Sequence, residues 1–396
     1  MEFALWPFFS DDEIQAVVNV LRSGKINQWT GNEVAAFEKE FAGYVGTDHA
    51  VALANGSLAL DMALACLDIG KGDEVIVTPR SFVASAGCVA LHGAVPVFVD
   101  VDQDSQNITL ETISKAVTSK TKAVIAVNLA GWPCDLASIK SFCEKHHLFL
   151  IEDCAQAHGA AFKGKKAGSF GDCAIFSFCQ DKIMTTGGEG GMLVTNNTDL
   201  WQKVWSFKDH GKDYSKAFCQ EHEPGFRWLV DSLGTNCRMT EMQAAIGRVM
   251  LKKLDGWVEQ RRSNADRLAR EFENIPGLRI TVPGPEIYHS YYKYYVFIKP
   301  DDLKDSWNRD TVLAALNSAG VPCNTGSCPE IYLENAFKTG AFRLHGAVTD
   351  NKNMYLPVAR QLGETSLMFM VHPTLTSESI EYVIDQVRQV MKKAVR

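Results

Sequence analysis

Short apolar runs alternate with stretches of helical periodicity along the first half of the chain, and no other feature constrains the fold as strongly. Residues 74–78, 95–99, 123–128 and 148–152 read as buried strands, and residues 58–67, 83–92, 110–117 and 136–145 as the helices between them. Strands linked through helices imply right-handed crossovers and a parallel or mostly parallel sheet covered on both faces, so the fold class is α/β. After Gly171 the pattern changes. Residues 173–178 and 191–196 predict two strands joined by a loop rich in Thr and Gly, with locally mixed strand directions. From Thr240 a helical pattern runs to about residue 273, longer than the ~11 to 12 residues of an average helix, with an interruption expected near Gly256. Strand-like 292–299 and 367–371 and helical 309–319 and 378–393 then predict a compact α+β unit. The expected division is a large domain over 1–250 and a small one over 251–396, with the first 30 or so residues packing on the small domain.

The chain has 396 residues, more than one small core organises, and 46% of them are hydrophobic, enough to build a large interior. Its net charge of -7 comes with scattered Lys and Arg, so it carries no electrostatic footprint for a nucleic-acid backbone. A small-molecule ligand is the expectation. Residues 1–10 lack the pattern of a secretory leader, and apolar runs such as 123–130 are too short to cross a bilayer. The 11 cysteines are odd in number and form no CxxC pair, and Cys66, Cys88 and Cys173 sit inside apolar runs. A reducing cytoplasm fits this usage. Cys323 and Cys328 have no His or Cys partner at finger-like spacing, so no metal site is expected.

Three segments carry chemistry. In Phe176-Ser-Phe-Cys-Gln-Asp-Lys182-Ile-Met-Thr-Thr-Gly-Gly-Glu-Gly-Gly191 a strand ends, the chain turns through small and hydroxyl residues, and one lysine stands at the tip. A partly desolvated lysine sheds its proton and becomes competent for Schiff-base chemistry. A solvated surface lysine is the bland alternative. In Leu148-Phe-Leu-Ile-Glu-Asp153-Cys-Ala-Gln156-Ala-His158-Gly-Ala160 an apolar strand ends in two acids. A carboxylate there faces the crevice where α/β sheets bind ligands and can pair with a protonated pyridine nitrogen. A helix N-cap or a solvent-facing strand end explains it equally well. In Val51-Ala-Leu-Ala-Asn55-Gly56-Ser57 a strand turns sharply into a helix opening at a hydroxyl residue, and the unpaired amides there make a phosphate seat. Many such turns only cap helices.

The order of these segments, with Phe82 in Thr78-Pro-Arg-Ser-Phe-Val-Ala between them, resembles fold-type I pyridoxal-phosphate enzymes. More narrowly, Asn55-Gly-Ser, Thr78-Pro-Arg-Ser-Phe-Val-Ala-Ser-Ala, Phe98-Val-Asp-Val-Asp, Glu152-Asp-Cys-Ala-Gln-Ala-His-Gly-Ala, Phe176-Ser-Phe, Thr185-Thr-Gly-Gly-Glu-Gly-Gly and Asn236-Cys-Arg-Met-Thr-Glu-Met-Gln-Ala-Ala resemble the DegT/DnrJ/EryC1/StrS family of sugar aminotransferases over nearly the entire chain. The resemblance implies a large domain with a mostly parallel seven-stranded sheet, a small C-terminal α+β domain, and pyridoxal 5'-phosphate as cofactor. It implies that Lys182 forms the Schiff base, Asp153 bonds the pyridine nitrogen, Gln156 approaches the ring hydroxyl and Phe82 stacks on the ring. Gly56, Ser57 and Ser177 would bind the phosphate, joined by Asn236 from the neighbouring subunit of a homodimer. The chain departs from the family pattern at Cys154, where Ala is usual, and at Cys237, where an aromatic is frequent. It departs again at Lys208-Asp-His210-Gly, where Arg-Asn-His-Gly is frequent and substrate is met.

The reaction so implied moves an amino group from L-glutamate or L-glutamine to a keto or aldehyde sugar, making an amino sugar for surface polysaccharide or lipopolysaccharide. The stretch Phe226-Arg-Trp-Leu-Val-Asp-Ser-Leu-Gly-Thr-Asn resembles a subgroup that makes 8-amino-3,8-dideoxy-manno-octulosonate from the 8-aldehyde. Nucleotide-linked 4-keto- or 3-keto-6-deoxy sugars are the alternative acceptors. A related dehydratase branch has His in place of the lysine. Cysteine desulfuration through Cys328 and a non-catalytic protein that binds sugar or cofactor are the remaining rivals. His210 and His372 are candidate contacts for sugar hydroxyls or the donor carboxylate, with ordinary structural roles more common. Arg238 suits a subunit contact or an anion, while Met239, Met242 and Met250 suit helix packing.

Overall fold

The structure, a computed structural model, describes residues 1–221, 225, 227–339 and 354–396. Phe226, which opens the octulosonate-like stretch, lies outside the described residues. Helices α1 (Asp11–Ser23) and α2 (Glu33–Val45) lead in, and each stops at a glycine in the left-handed region, Gly24 at φ 69° and Gly46 at φ 87°. The expected alternation follows as β1 (His49–Leu53), α3 (Gly56–Cys66), β2 (Glu74–Val77), α4 (Ala84–Leu91), β3 (Val95–Phe98), α5 (Leu110–Ser114), β4 (Thr121–Val127), α6 (Leu136–Lys145) and β5 (Phe149–Asp153). A short ribbon of β6 (Ala161–Phe162) and β7 (Lys165–Lys166) precedes β8 (Cys173–Ser177) and β9 (Gly191–Thr195). Then come α7 (Thr198–Lys208), α8 (Tyr214–Phe218) and the 32-residue α9 (Glu241–Phe272).

The seven long strands form one sheet in the order β1-β9-β8-β5-β4-β2-β3. The pairs β2–β3, β2–β4, β4–β5 and β5–β8 are parallel, and β9 alone runs against both its neighbours. The sheet is therefore mostly parallel, as expected. Successive side chains point to opposite faces, and each face has its own core. On one side Ile76, Val124, Leu150, Phe176 and Val194 pack with Phe37 and Phe41 of α2 and Met250 and Leu254 of α9. On the other, Val75, Ile125, Ile151, Ile175 and Leu193 pack with Leu60 of α3, Val89 of α4 and Trp205 of α7. At about 1.5 to 3 kcal/mol for each large apolar side chain, burial on two faces makes this sheet the rigid platform of the molecule.

The remaining elements are β10 (Leu278–Arg279), β11 (Ile287–Tyr288), β12 (Tyr294–Ile298), α10 (Arg309–Ser318), β13 (Cys323–Asn324), α11 (Asn335–Thr339), α12 (Pro357–Thr365), β14 (Ser366–Phe369) and α13 (Ser377–Ala394). An antiparallel sheet in the order β10-β12-β14-β13 packs on α10 and α13 around Val296, Leu316, Phe369 and Ile384, while β11 joins the β6–β7 ribbon. Phe3 meets Tyr382 of α13 edge-on at 6.2 Å. The division expected at 250/251 falls inside α9.

Two expectations are corrected. Helix α9 is not interrupted at Gly256. Its first half packs on the large sheet through Met250 and Leu254 and its second half on the antiparallel sheet through Leu268 and Phe272, and these contacts outweigh the ~1 kcal/mol that a glycine costs. Helix α5 ends at Ser114 rather than Val117, because the turn feeding β4 begins where Thr121 Oγ1 accepts the Thr118 N–H at 2.9 Å. No helix among the described residues is long and apolar enough to cross a membrane.

Candidate active site

The two acids that end β5 have opposite tasks because a strand sends neighbours to opposite faces. Glu152 is fully buried and accepts the N–H groups of Gly168, Phe170 and Gly171, each at 2.7 Å. Burial raises its carboxyl above the ordinary range, against the pull of those three bonds. Asp153 is 4% exposed; its Oδ2 accepts from Ser85 Oγ at 2.8 Å and its Oδ1 from the Ala155 N–H at 3.1 Å. Burial raises this carboxyl too, while Ser85, Ala155 and the charge of Lys182 draw it down. The bond to Ala155 is a local turn contact, no helix follows for Asp153 to cap, and the strand end is not solvent-facing.

Lys182 sits in the loop between β8 and β9, which folds on itself through its hydroxyl and glycine residues. Thr185 Oγ1 donates to the Phe178 carbonyl at 2.9 Å, and Gly187 and Gly188 take φ values of 89° and 119°. Half-buried Lys182 places its Nζ 4.9 Å from the centroid of the Tyr292 ring, and its carbonyl accepts from Trp6 Nε1 at 2.8 Å. The same ring faces Lys293 Nζ at 4.6 Å, and the Tyr292 hydroxyl donates to Asp181, whose carboxylate lies 3.8 Å from Lys293. Burial first, aided by the charges of Arg261 and Lys182 and opposed by Asp181, pushes the Lys293 ammonium down to about 8. Arg261, 1% exposed, stacks on Trp6 at 4.9 Å and donates to the Tyr292 carbonyl at 3.2 Å, and burial lowers it to about 9. His158 lies fully buried against Phe176 and Phe178, and burial followed by the charges of Lys182 and Arg261 pushes it down to about 3, opposed by the Ser177 backbone.

The third segment forms a cradle. Helix α3 opens at Gly56, one residue before the hydroxyl expected to start it, with the Asn55 side chain capping Leu58 N–H at 2.9 Å. A Cβ on Gly56 would stand 2.8 Å from the Ser177 Cβ, and one on Gly191 would stand 2.7 Å from the Gly56 nitrogen. Glycine at both positions lets the amino end of α3 pack this closely on the ends of β8 and β9, which brings its unpaired amides beside Ser177, and such amides are what seat a phosphate. Ser57 is exposed beside it. Lysine, buried acid and cradle lie at the carboxyl ends of β5 and β8 and the amino end of α3, a donor set that fits pyridoxal phosphate.

Gln156, buried three residues past Asp153, accepts the Ala130 N–H on its Oε1 at 2.9 Å, which leaves its amide NH2 as the donor. Phe82 is 66% exposed. Three candidates fall in a second group on the segment after α7. Arg238 pairs with Asp209 at 2.8 Å, Asn236 is exposed with its Oδ1 accepting the Arg238 N–H at 3.3 Å, and His210 is exposed at φ 61°. The Arg238 backbone bridges to Leu53, so this segment runs beside the approach to the cradle. His372 is buried, bonded through Nδ1 to Thr374 at 2.8 Å and stacked on Trp6. The Cys328 thiol is pushed up by burial and lies 3.8 Å from Glu334, an environment that weakens a nucleophile. Sequence reasoning missed Trp6, Tyr292, Lys293, Arg261 and Ser85. Of these only Ser85 lies in a run the sequence had singled out, that from Thr78 to Ala86, and its contact with Asp153, 68 residues on, had no local sign.

The profile of the DegT/DnrJ/EryC1/StrS aminotransferase family matches residues 8–388. An aminotransferase of known structure from Psychrobacter cryohalolentis is 48% identical, with a TM-score of 0.94 over 99% of each chain. GDP-perosamine synthase of Caulobacter vibrioides is 36% identical over 371 residues, 91% of each chain. An E. coli GDP-4-keto-6-deoxy-D-mannose-3-dehydratase solved with bound hydrated PLP is 27% identical, with a TM-score of 0.85 over 98% of this chain and 99% of its own.

Proposed function

The chain belongs to the DegT/DnrJ/EryC1/StrS aminotransferase family, and from that premise we propose that it transfers the amino group of L-glutamate to a sugar carbonyl with Lys182 and Asp153 as its catalytic residues. It is a sugar aminotransferase of fold type I with pyridoxal phosphate as cofactor. What the cofactor supplies when bound is an aldehyde that carries the amino group and a ring that delocalises carbanion charge.

The residues do the rest. Lys182 would hold the cofactor through its Nζ, and the same amine would serve as the base that takes a proton from the donor α-carbon. Asp153 would pair with the pyridine nitrogen and favour its protonated form. Gln156 would approach the ring hydroxyl, Phe82 would stack on the ring, and Gly56, Ser57 and Ser177 would hold the phosphate, with Asn236 added from the second subunit of a homodimer. His210, Arg238 and His372 are proposed substrate-side residues, Arg238 acting through Asp209. Residues 1–250 form the cofactor-binding domain in this reading, and 251–396 the smaller one. The free cysteines support a reducing, cytoplasmic setting.

One observation carries the reading: Asp153 is buried at the carboxyl end of β5, held there by Ser85, and half-buried Lys182 stands in the loop that leaves β8, the strand paired with β5. In the test, purified protein is yellow, L-glutamate bleaches it, and Lys182→Ala abolishes the change. Unaltered turnover by Lys182→Ala contradicts the assignment. Lysine at 182 also disfavours the dehydratase branch.

For the acceptor we propose the 8-aldehyde of the octulosonate, giving 8-amino-3,8-dideoxy-manno-octulosonate, on the resemblance of the stretch around Trp228. Nucleotide-linked 4-keto- or 3-keto-6-deoxy sugars are the second reading, favoured by the likeness to GDP-perosamine synthase. Offering each to the bleached enzyme decides between them, since the true acceptor restores the yellow colour.

A further inference from the structure

Helix α4 begins beside the carboxyl end of β5, and its second residue, Ser85, is 1% exposed. Its hydroxyl donates to Asp153 Oδ2 at 2.8 Å and bonds to no backbone group of its own helix. The Ser81 hydroxyl, 2% exposed, lies 3.1 Å from the Ser85 oxygen. Chemistry fixes the direction of this chain. An ionised carboxylate only accepts, so Ser85 spends its proton on Asp153 and its oxygen can only accept from Ser81. Ser81 in turn pairs its backbone with Cys328, and the Pro79 carbonyl accepts the Ile331 N–H at 2.9 Å, so the serines are clamped to the segment after β13.

We propose that Ser81 and Ser85 form a directed hydrogen-bond relay that holds Asp153 in place and in its ionised form, making Ser85 a positioning residue for amino transfer. The inference rests on the reading that Asp153 faces the pyridine nitrogen. A hydroxyl donated to a carboxylate favours the charged form, and a second hydroxyl behind it strengthens the first. Without the relay the carboxylate is a stronger base. With pyridoxal phosphate bound, Asp153 would then draw the shared proton away from the ring nitrogen, and the ring would be a weaker electron sink.

The test uses holoenzyme carrying pyridoxal phosphate labelled with 15N in the ring, which reports protonation of that nitrogen directly. Ser85→Ala shifts the resonance toward neutral pyridine, Ser81→Ala shifts it less in the same direction, and Ser85→Thr, which keeps the hydroxyl, restores it. The rate of the L-glutamate half-reaction in Ser85→Ala falls about tenfold, the scale of one lost bond to a charged group, with little change in the apparent affinity for glutamate. An unmoved resonance in Ser85→Ala beside a shifted one in Asp153→Asn overturns the relay and leaves the proposed function standing. No shift in either variant overturns the assignment of Asp153 and the relay together.

Discussion

His158 shows what burial does to a side chain beside a cationic centre. Its ring is held near 3, whereas a free imidazole titrates near 6.5. Between those values the unfolded chain binds a proton that the fold refuses. Its contribution to stability is therefore fully present above about pH 6.5 and is lost as the pH falls toward 3. The carboxyls of Glu152 and Asp153, shifted up by burial, act with the opposite sign. In His158→Phe, which suits a site walled by Phe176 and Phe178, the stability lost between about pH 6.5 and pH 4.5 should shrink by roughly 1 to 3 kcal/mol in urea denaturation. Equal losses in variant and parent would show that the ring is not refused its proton.

At the scale of elements, the turn from Gly168 to Gly171 that leads into β8 is secured by one carboxylate, that of Glu152. Glu152→Ala leaves three backbone donors without their acceptor and should cost roughly 3 kcal/mol or more, read as a lowered denaturation midpoint. A midpoint within experimental error of the parent would contradict that role. The sequence made such elements legible wherever one local cue decided them. Apolar runs marked the strands, Gly56 and Asn55 marked the turn into α3, and the order of acid and lysine marked the crevice. Tyr292 and Lys293 were legible only as strand residues. Their place beside Lys182 depends on α9 carrying the antiparallel sheet across to the β8–β9 loop, and Trp6 arrives there from the far end of the chain. Neither placement has a local pattern. The unbroken course of α9 through Gly256 was hidden for the same reason, since packing on two cores decided it.

For the whole molecule, the proposed sharing of Asn236 between subunits has a consequence that no single chain can display. Lys182→Ala and Asn236→Ala are each expected to be impaired, yet mixing them into heterodimers should recover activity, because half of the sites in each mixed dimer are intact. Absence of recovery in verified heterodimers would mean that each chain completes its own site. Exposed Phe82 and Asn236 and the neighbouring run beside Leu53 give such a contact a place on the surface. The account as a whole depends on the bond between one lysine and the cofactor. Reduction of the holoenzyme with borohydride fixes that bond, and peptide mass spectrometry then locates it. A single pyridoxyl adduct on the peptide containing Lys182 is the predicted result, and an adduct on Lys293 or any other lysine, with Lys182 unmodified, would contradict it.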